Sequence, residues 1–140
     1  MSPERYVLDT SAVLTLIEDE DGAERVEQIL LQERAILPWI VLLEAHYIIA
    51  RAKGESVADL RYSMLKKSTA EIQWDIDEPT LLTASRLKKG GKLSLADSVI
   101  AAIAQRHNAI LVHKDPEFEP LGDRVRLLPL PSKRTKKSRT

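Results

Sequence analysis

Four carboxylates stand in apolar company. Asp9 closes "YVLD", Glu44 lies inside "VLLEAHYII", Asp97 inside "LSLADSVIAAIA", and Asp115 follows "AILVHK". On a helix, residues three and four apart share a face. Those neighbours are Ile40, Val41, Tyr47 and Ile48 for Glu44, and Leu93, Ser94, Ile100 and Ala101 for Asp97. Both acids are therefore expected on faces turned toward the interior. A buried carboxylate without a partner is costly and tends to take up a proton, and several close together also repel. A divalent cation replaces that repulsion with coordination. Magnesium and manganese favour such oxygen ligands, and no cysteine or paired-histidine cluster suggests zinc. The chemistry open to such a centre is activation of water and polarisation of a phosphoryl oxygen.

Each acid also has an ordinary structural role within reach. "SLAD" is a capping-box pattern that places Asp97 three residues after Ser94. Asp9 can cap the helix that begins near Ser11, Glu44 can pair with Arg51, and Asp115 with Pro116 can form a turn. Capping and metal binding are compatible at one carboxylate, which has several lone pairs. The remaining cluster of acids, Glu18 to Asp21, reads as a solvated loop.

The elements that must position these groups alternate. Strands are expected at 6–9, 35–38, 71–76, 109–112 and 124–128, the last at a sheet edge before two prolines. Helices are expected at 11–17, 23–32, 39–53, 57–67, 79–89 and 95–107. Ser56 and Ser94 are the expected N-caps of the fourth and sixth, and Gly54 and Gly90 the stops of the third and fifth. Short apolar strands between helices imply an α/β fold, with helices packed around a mostly parallel sheet. In such sheets ligands collect beyond the carboxyl ends of strands, where Asp9 and Asp115 both project.

A chain of 140 residues suits one domain with its own core. The organisation expected is a domain over residues 1–130 followed by a basic, disordered tail at 131–140. With no cysteine, disulfides and thiolate sites are excluded, which fits a reducing, cytoplasmic setting. The longest apolar run, "AILPWIVLL", has nine residues, too few to span a membrane. The 21 basic and 21 acidic residues balance formally, but the last eight, "KRTKKSRT", hold five of the bases. Without them the body carries a net charge of −5. A basic tail can contact phosphates or simply aid solubility.

"YVLDTSAVL", the Glu of "VLLEAHYII", "LSLADSVIAAIA" and "AILVHKDPEF" together resemble the ordered acidic motifs of the PIN-domain nucleases, in particular the VapC-type toxins of toxin–antitoxin pairs. "DTS" alone is a weak signal; the order Asp, Glu, Asp, Asp in these contexts is a strong one. The resemblance runs from about residue 5 to residue 128. It implies a three-layer α/β/α sandwich with about five strands and a ribonuclease using magnesium or manganese, one or two ions per site. Its products would carry 5′-phosphate and 3′-hydroxyl ends. Carried over by position, Asp9, Glu44, Asp97 and Asp115 form the acidic site, and Ser11 supplies a supporting hydroxyl. Glu117 falls where many relatives have a further acid. His113 departs from the Thr or Ser that many relatives carry there, and leaves open a contact with phosphate or an outer place near the metal. Either Asp97 or Glu44 could accept the proton of the attacking water. The resemblance also implies a homodimer and a cognate antitoxin whose C-terminal segment lies across the groove.

An acidic pocket needs bases nearby to attract RNA. Lys88, Lys89 and Lys92 of "RLKKGGK" are candidates, although cations also suit a helix C-terminus. Three other readings compete with a toxin ribonuclease. A PIN-fold nuclease outside a toxin system would have the same pocket, because the pocket does not encode substrate shape. A non-catalytic RNA- or antitoxin-binding module would have no need of all four acids. An aspartyl-phosphate enzyme built on Asp9 would want a second Asp two residues later, where this chain has Ser11.

Overall fold

The structure, a computed structural model, describes residues 3–131. The basic segment 133–140 lies outside the described residues.

Five strands, β1 (Tyr6–Leu8), β2 (Ala35–Pro38), β3 (Glu71–Gln73), β4 (Ile110–His113) and β5 (Leu127–Pro129), form one sheet in the order β3-β2-β1-β4-β5. Every pairing is parallel, with Val7 opposite both Ile36 and Leu111, and Leu111 opposite Leu127. The helices are α1 (Thr10–Ile17), α2 (Ala23–Leu31), α3 (Trp39–Lys53), α4 (Glu55–Lys67), α5 (Glu78–Lys89) and α6 (Leu95–Arg106). A 3-10 helix follows β4 at Pro116–Leu121. This is the α/β/α architecture the sequence implied. Parallel crossovers are right-handed, so the chain steps from β1 outward to β3 with α1–α4 over one face. It then returns past β1 to β4, which places α5 and α6 over the other.

The switch in direction between β1 and β4 is the feature that matters for function. Open parallel sheets bind ligands where the strand order reverses, beyond the strand carboxyl ends. Asp9 directly follows β1, the middle strand, and Asp115 comes two residues after its neighbour β4.

The three inner strands are buried on both faces, as parallel strands between helix layers must be: Val7, Ile36, Leu37, Leu111 and Val112 are at most 1 % exposed, whereas the edge strands β3 and β5 are half-exposed. Helix α6 is the most deeply buried. Ile100 to Ala104 is an unbroken buried run, and Ser98 is buried with it. Its alanines let α5, β1 and β4 approach closely. Ser98 remains tolerable inside because its hydroxyl donates to the Ser94 carbonyl at 2.9 Å.

Several local expectations need correction. Helix α4 begins at Glu55, not Val57, and Ser56 is not its cap: Gly54 is, with φ 93° and no side-chain bond. That positive φ, easy only for glycine, turns the chain directly from α3 into α4. The last strand is shifted from 124–128 to 127–129. The 3-10 helix and the turn after it, in which the Arg124 and Val125 amides both donate to the Leu121 carbonyl, use up the residues before it. It remains an edge strand, paired with β4 alone. The third strand stops at Gln73. The run Glu18–Asp21 is more than a solvated loop: Glu18 pairs with Lys53, and half-buried Glu20 with the Lys114 ammonium. Among the described residues, no helix is long and apolar enough to cross a membrane.

Candidate functional site

Each acid reaches the carboxyl end of the sheet on a different element. Asp9 is the N-cap of α1; its carboxylate accepts the Ala12 amide at 2.8 Å and the Ser11 hydroxyl at 2.7 Å. Asp97 stands in the first turn of α6. There the capping bond uses its backbone: the Ser94 hydroxyl accepts the Asp97 N–H at 3.1 Å. Asp115 is the N-cap of the 3-10 helix and accepts the Glu117 amide at 3.0 Å. Glu44 projects from α3 and accepts the Thr10 hydroxyl at 2.6 Å. The caps expected for Asp9 and Asp97 thus exist, and the carboxylates still share one region. Three helix N-termini supply partial positive charge to it.

The tightest group is Asp97, Asp115 and Glu117, each offering a carboxylate oxygen, with these atoms all within 4.8 Å of one another. Asp9 lies behind them, only 2 % exposed, near enough for the charges of Asp97 and Asp115 to act on it. Glu44 is near enough for its charge to act on Asp97. The sequence pattern ranked Glu117 as an accessory, yet the short turn after β4 brings it into the trio. Glu44 is only half-buried, and its neighbours Tyr47 and Ile48 are exposed. The expected apolar face of α3 is thus buried around Val41 but open a turn further on.

The electrostatics state the cost of this arrangement. Burial pushes the Asp9 carboxyl up to about 7, against the lowering effect of its bonds to Ala12 and Ser11, with the charges of Asp97 and Asp115 adding to the rise. Burial also raises Asp97, to about 6, helped by Asp115, Glu44 and Glu117. Near neutral pH these groups are poised between charged and neutral forms, because burial and their mutual repulsion disfavour the charge. Oxygen-only donors, converging and mutually repelling, fit a hard divalent cation such as magnesium or manganese. Lys114 does not fill that role, since its ammonium turns away to Glu20 and the Asp21 carbonyl.

Ser11 and Thr10 hold the framework. The Ser11 hydroxyl donates to Asp9 and accepts the Lys114 amide at 2.8 Å, tying the end of β1 to the end of β4. Thr10, which sequence reasoning missed, orients Glu44; its signal was only its place beside Asp9. Ser11→Ala is expected to leave the Lys114 amide without its acceptor and to destabilise the protein by about 1–3 kcal/mol. The readout is a lower urea midpoint at unchanged m.

His113 ends β4 and is 1 % exposed. Burial holds its ring below the ordinary histidine range, against the raising effect of Asp115 and Glu119. Lys88 and Lys89, at the end of α5, line a groove of about 590 Å³ with Trp39, Ile40, Leu95 and Val99. That groove runs beside the α3 and α6 segments that carry Glu44 and Asp97. Lys92 is exposed in the turn before α6.

Comparison with known proteins follows the same lines. The family model described as PIN domain matches residues 6–123. No functionally curated protein matches the chain. Among solved structures, the chain is similar to VapBC2 from Rickettsia felis bound to a promoter DNA fragment. The TM-score is 0.73 at 20 % identity, covering 90 % of this chain and 98 % of that one. It is also similar to DNA-bound VapBC from Salmonella typhimurium (TM-score 0.71, 16 % identity, 91 % and 98 % covered). A third similar structure is VapC20 from Mycobacterium tuberculosis, described as a toxin that cleaves the sarcin–ricin loop (TM-score 0.66, 15 % identity, 84 % and 95 % covered). At these identities the likeness to solved structures speaks for the fold.

Proposed function

The chain belongs to the PIN-domain family, and from that membership and the acidic site we propose that it is a divalent-cation-dependent endoribonuclease, the toxin of a toxin–antitoxin pair. The observation that carries the reading is the convergence of Asp97, Asp115 and Glu117 within 4.8 Å, with buried Asp9 behind them, at the switch point of the sheet. A site that only stabilised the fold would gain by replacing such mutually repelling acids with neutral residues. The toxin reading is supported by the similar solved structures, several of which are VapBC or toxin–antitoxin complexes, and the RNA substrate by the sarcin–ricin loop cleavage described for VapC20.

Asp97, Asp115 and Glu117 would hold magnesium or manganese, with Asp9 adding charge from behind. When bound, the cation neutralises the scissile phosphoryl group and lowers the pKa of a water beside it. The chain's own groups do the rest. Glu44 is assigned as the base: it lies outside the converging trio, and Thr10 fixes one of its oxygens, which leaves the other to accept a proton. Ser11 keeps Asp9 in place. Lys88, Lys89 and Lys92 are assigned to the RNA backbone, since a body with net negative charge needs local cations to draw phosphates in. The antitoxin and a second copy of the chain are the proposed protein partners; exposed Leu43, Tyr47, Leu81 and Leu95 leave apolar surface for such contacts.

The test is incubation of the purified protein, free of antitoxin, with structured and single-stranded RNAs in magnesium or in EDTA. Cleavage in magnesium that leaves 5′-phosphate ends and stops on chelation is expected. Cleavage that persists in EDTA, or none of any RNA, would overturn the reading, the second outcome favouring a binding module.

A further inference from the structure

His113 presents an imbalance that its surroundings resolve in one way. Its Nδ1 accepts the Asp115 N–H at 3.1 Å. In a neutral ring the hydrogen then resides on Nε2, which is buried and has no hydrogen-bond partner among the described residues. A buried donor without an acceptor is a cost. An apolar side chain of similar volume would pack there without it. What the imidazole adds over such a side chain is therefore the Nδ1 acceptor.

That acceptor lies at the start of a short turn whose far end touches the same ring. Phe118, fully buried, packs against His113 with ring centroids 5.2 Å apart and planes tilted by 59°. Between the two contacts lie Asp115 and Glu117. The turn closes on itself: the Asp115 carboxylate accepts the Glu117 amide at 3.0 Å, and the Asp115 carbonyl accepts the Phe118 amide at 3.2 Å. Its orientation relative to β4 is held from outside by the His113 ring on the Asp115 amide, next to the Lys114 amide that donates to the Ser11 hydroxyl. Asp97, on α6, is the partner toward which both carboxylates must be aimed.

We propose that His113 is a positioning residue: its Nδ1, with the ring braced by Phe118, fixes the Asp115 amide and so aims the Asp115 and Glu117 carboxylates at Asp97, setting the affinity of the site for a divalent cation. This rests on the metal-site reading above. It assigns His113 no contact with substrate. Groups that orient metal ligands through a hydrogen bond typically change metal affinity by about 10–100-fold when removed.

The test is manganese binding to the full-length protein by titration calorimetry, without RNA, beside thermal unfolding of the metal-free protein. His113→Leu keeps the volume and removes the acceptor. His113→Asn loses volume but places its carbonyl oxygen near the former Nδ1. His113→Leu is expected to weaken manganese binding by about 10-fold or more while unfolding close to wild type, since the acceptor lost to the Asp115 amide is offset by removal of the unpaired buried Nε2 donor. His113→Asn is expected to unfold earlier yet bind within about 3-fold of wild type, since the hydrogen bond that orients the ligands survives. Affinity and stability thus move in opposite orders, which a packing role alone would not produce. Wild-type affinity in His113→Leu, or equal weakening in both variants, overturns the proposal. Should His113→Leu not fold, His113→Ala takes its place: binding as tight as in His113→Asn is the overturning result. A wild-type protein with no saturable manganese binding overturns the metal site itself and the role of His113 with it.

Discussion

Asp97→Asn should reduce magnesium-dependent RNA cleavage by about 10³-fold, equivalent to roughly 4 kcal/mol of transition-state stabilisation, while leaving the fold in place. The substitution is clean because the bond that starts α6 uses the Asp97 backbone N–H, which an asparagine retains. What changes is the carboxylate, one of three whose oxygens converge within 4.8 Å. An amide offers a neutral oxygen in place of a charged one, so the cation is held less tightly and the phosphoryl group is less well neutralised. In the metal-free protein the same change removes a source of repulsion acting on Asp9. Stability without metal should therefore hold or rise as activity falls. The measurements are initial cleavage rates at saturating magnesium, manganese titration, and thermal unfolding in EDTA. Wild-type cleavage by the variant would remove Asp97 from the site. Loss of cleavage together with loss of stability would make its role a matter of folding.

The second large effect is an inverted dependence of stability on pH. A paired surface carboxylate stabilises a protein above its pKa. Asp9 does the reverse: its carboxyl is raised from 3.8 to about 7 by burial, so the folded state holds a proton that the unfolded chain has released. Stability therefore falls as pH rises from about 4 to about 7 and levels off above that. Three pKa units correspond to about 4 kcal/mol, an upper figure for this one group. Asp97, raised to about 6, acts in the same direction up to its own pKa, more weakly because it is only half-buried and solvent screens it. Exposed Asp77, lowered by its bonds to Thr80, opposes them in acid.

Comparing wild type with Asp9→Asn cancels such background groups. In EDTA, the variant's stability relative to wild type should increase between pH 5 and pH 8. Magnesium should stabilise wild type, and more at pH 8 than at pH 5, since the ligands must shed protons to bind. At a concentration of 100 times Kd the gain is about 2.7 kcal/mol. Urea unfolding across this range provides the numbers. Parallel pH profiles for the two proteins would mean that Asp9 is not held in its costly charged form.

Fold class was legible in the sequence because it follows from periodicity. Short apolar strands and amphipathic helices alternate along the chain, and only a parallel sheet between helix layers buries them all. Helix α3 and strand β2 fall at the residues that the pattern gives, since Pro38 marks the junction between them. The boundaries that moved did so where tertiary contacts outweighed local preference. Gly54 turned α3 straight into α4, and the 3-10 helix after β4 took residues that read as strand.

What the sequence by itself determined is which acids stand in apolar surroundings, and in what order; a side chain's type and its neighbours at three and four residues suffice for that. Only the tertiary structure decided how they stand to one another. The crossing of β1 beside β4 brings Asp9 near Asp115 across more than a hundred residues. The tight turn braced on His113 moves Glu117 into the tightest group, and the opening of α3 toward its exposed side leaves Glu44 at the margin. Distances between groups far apart in the chain depend on strand order and on hydrogen bonds between elements. Neither leaves a periodic mark in the sequence, because each is fixed by packing partners that lie elsewhere along the chain.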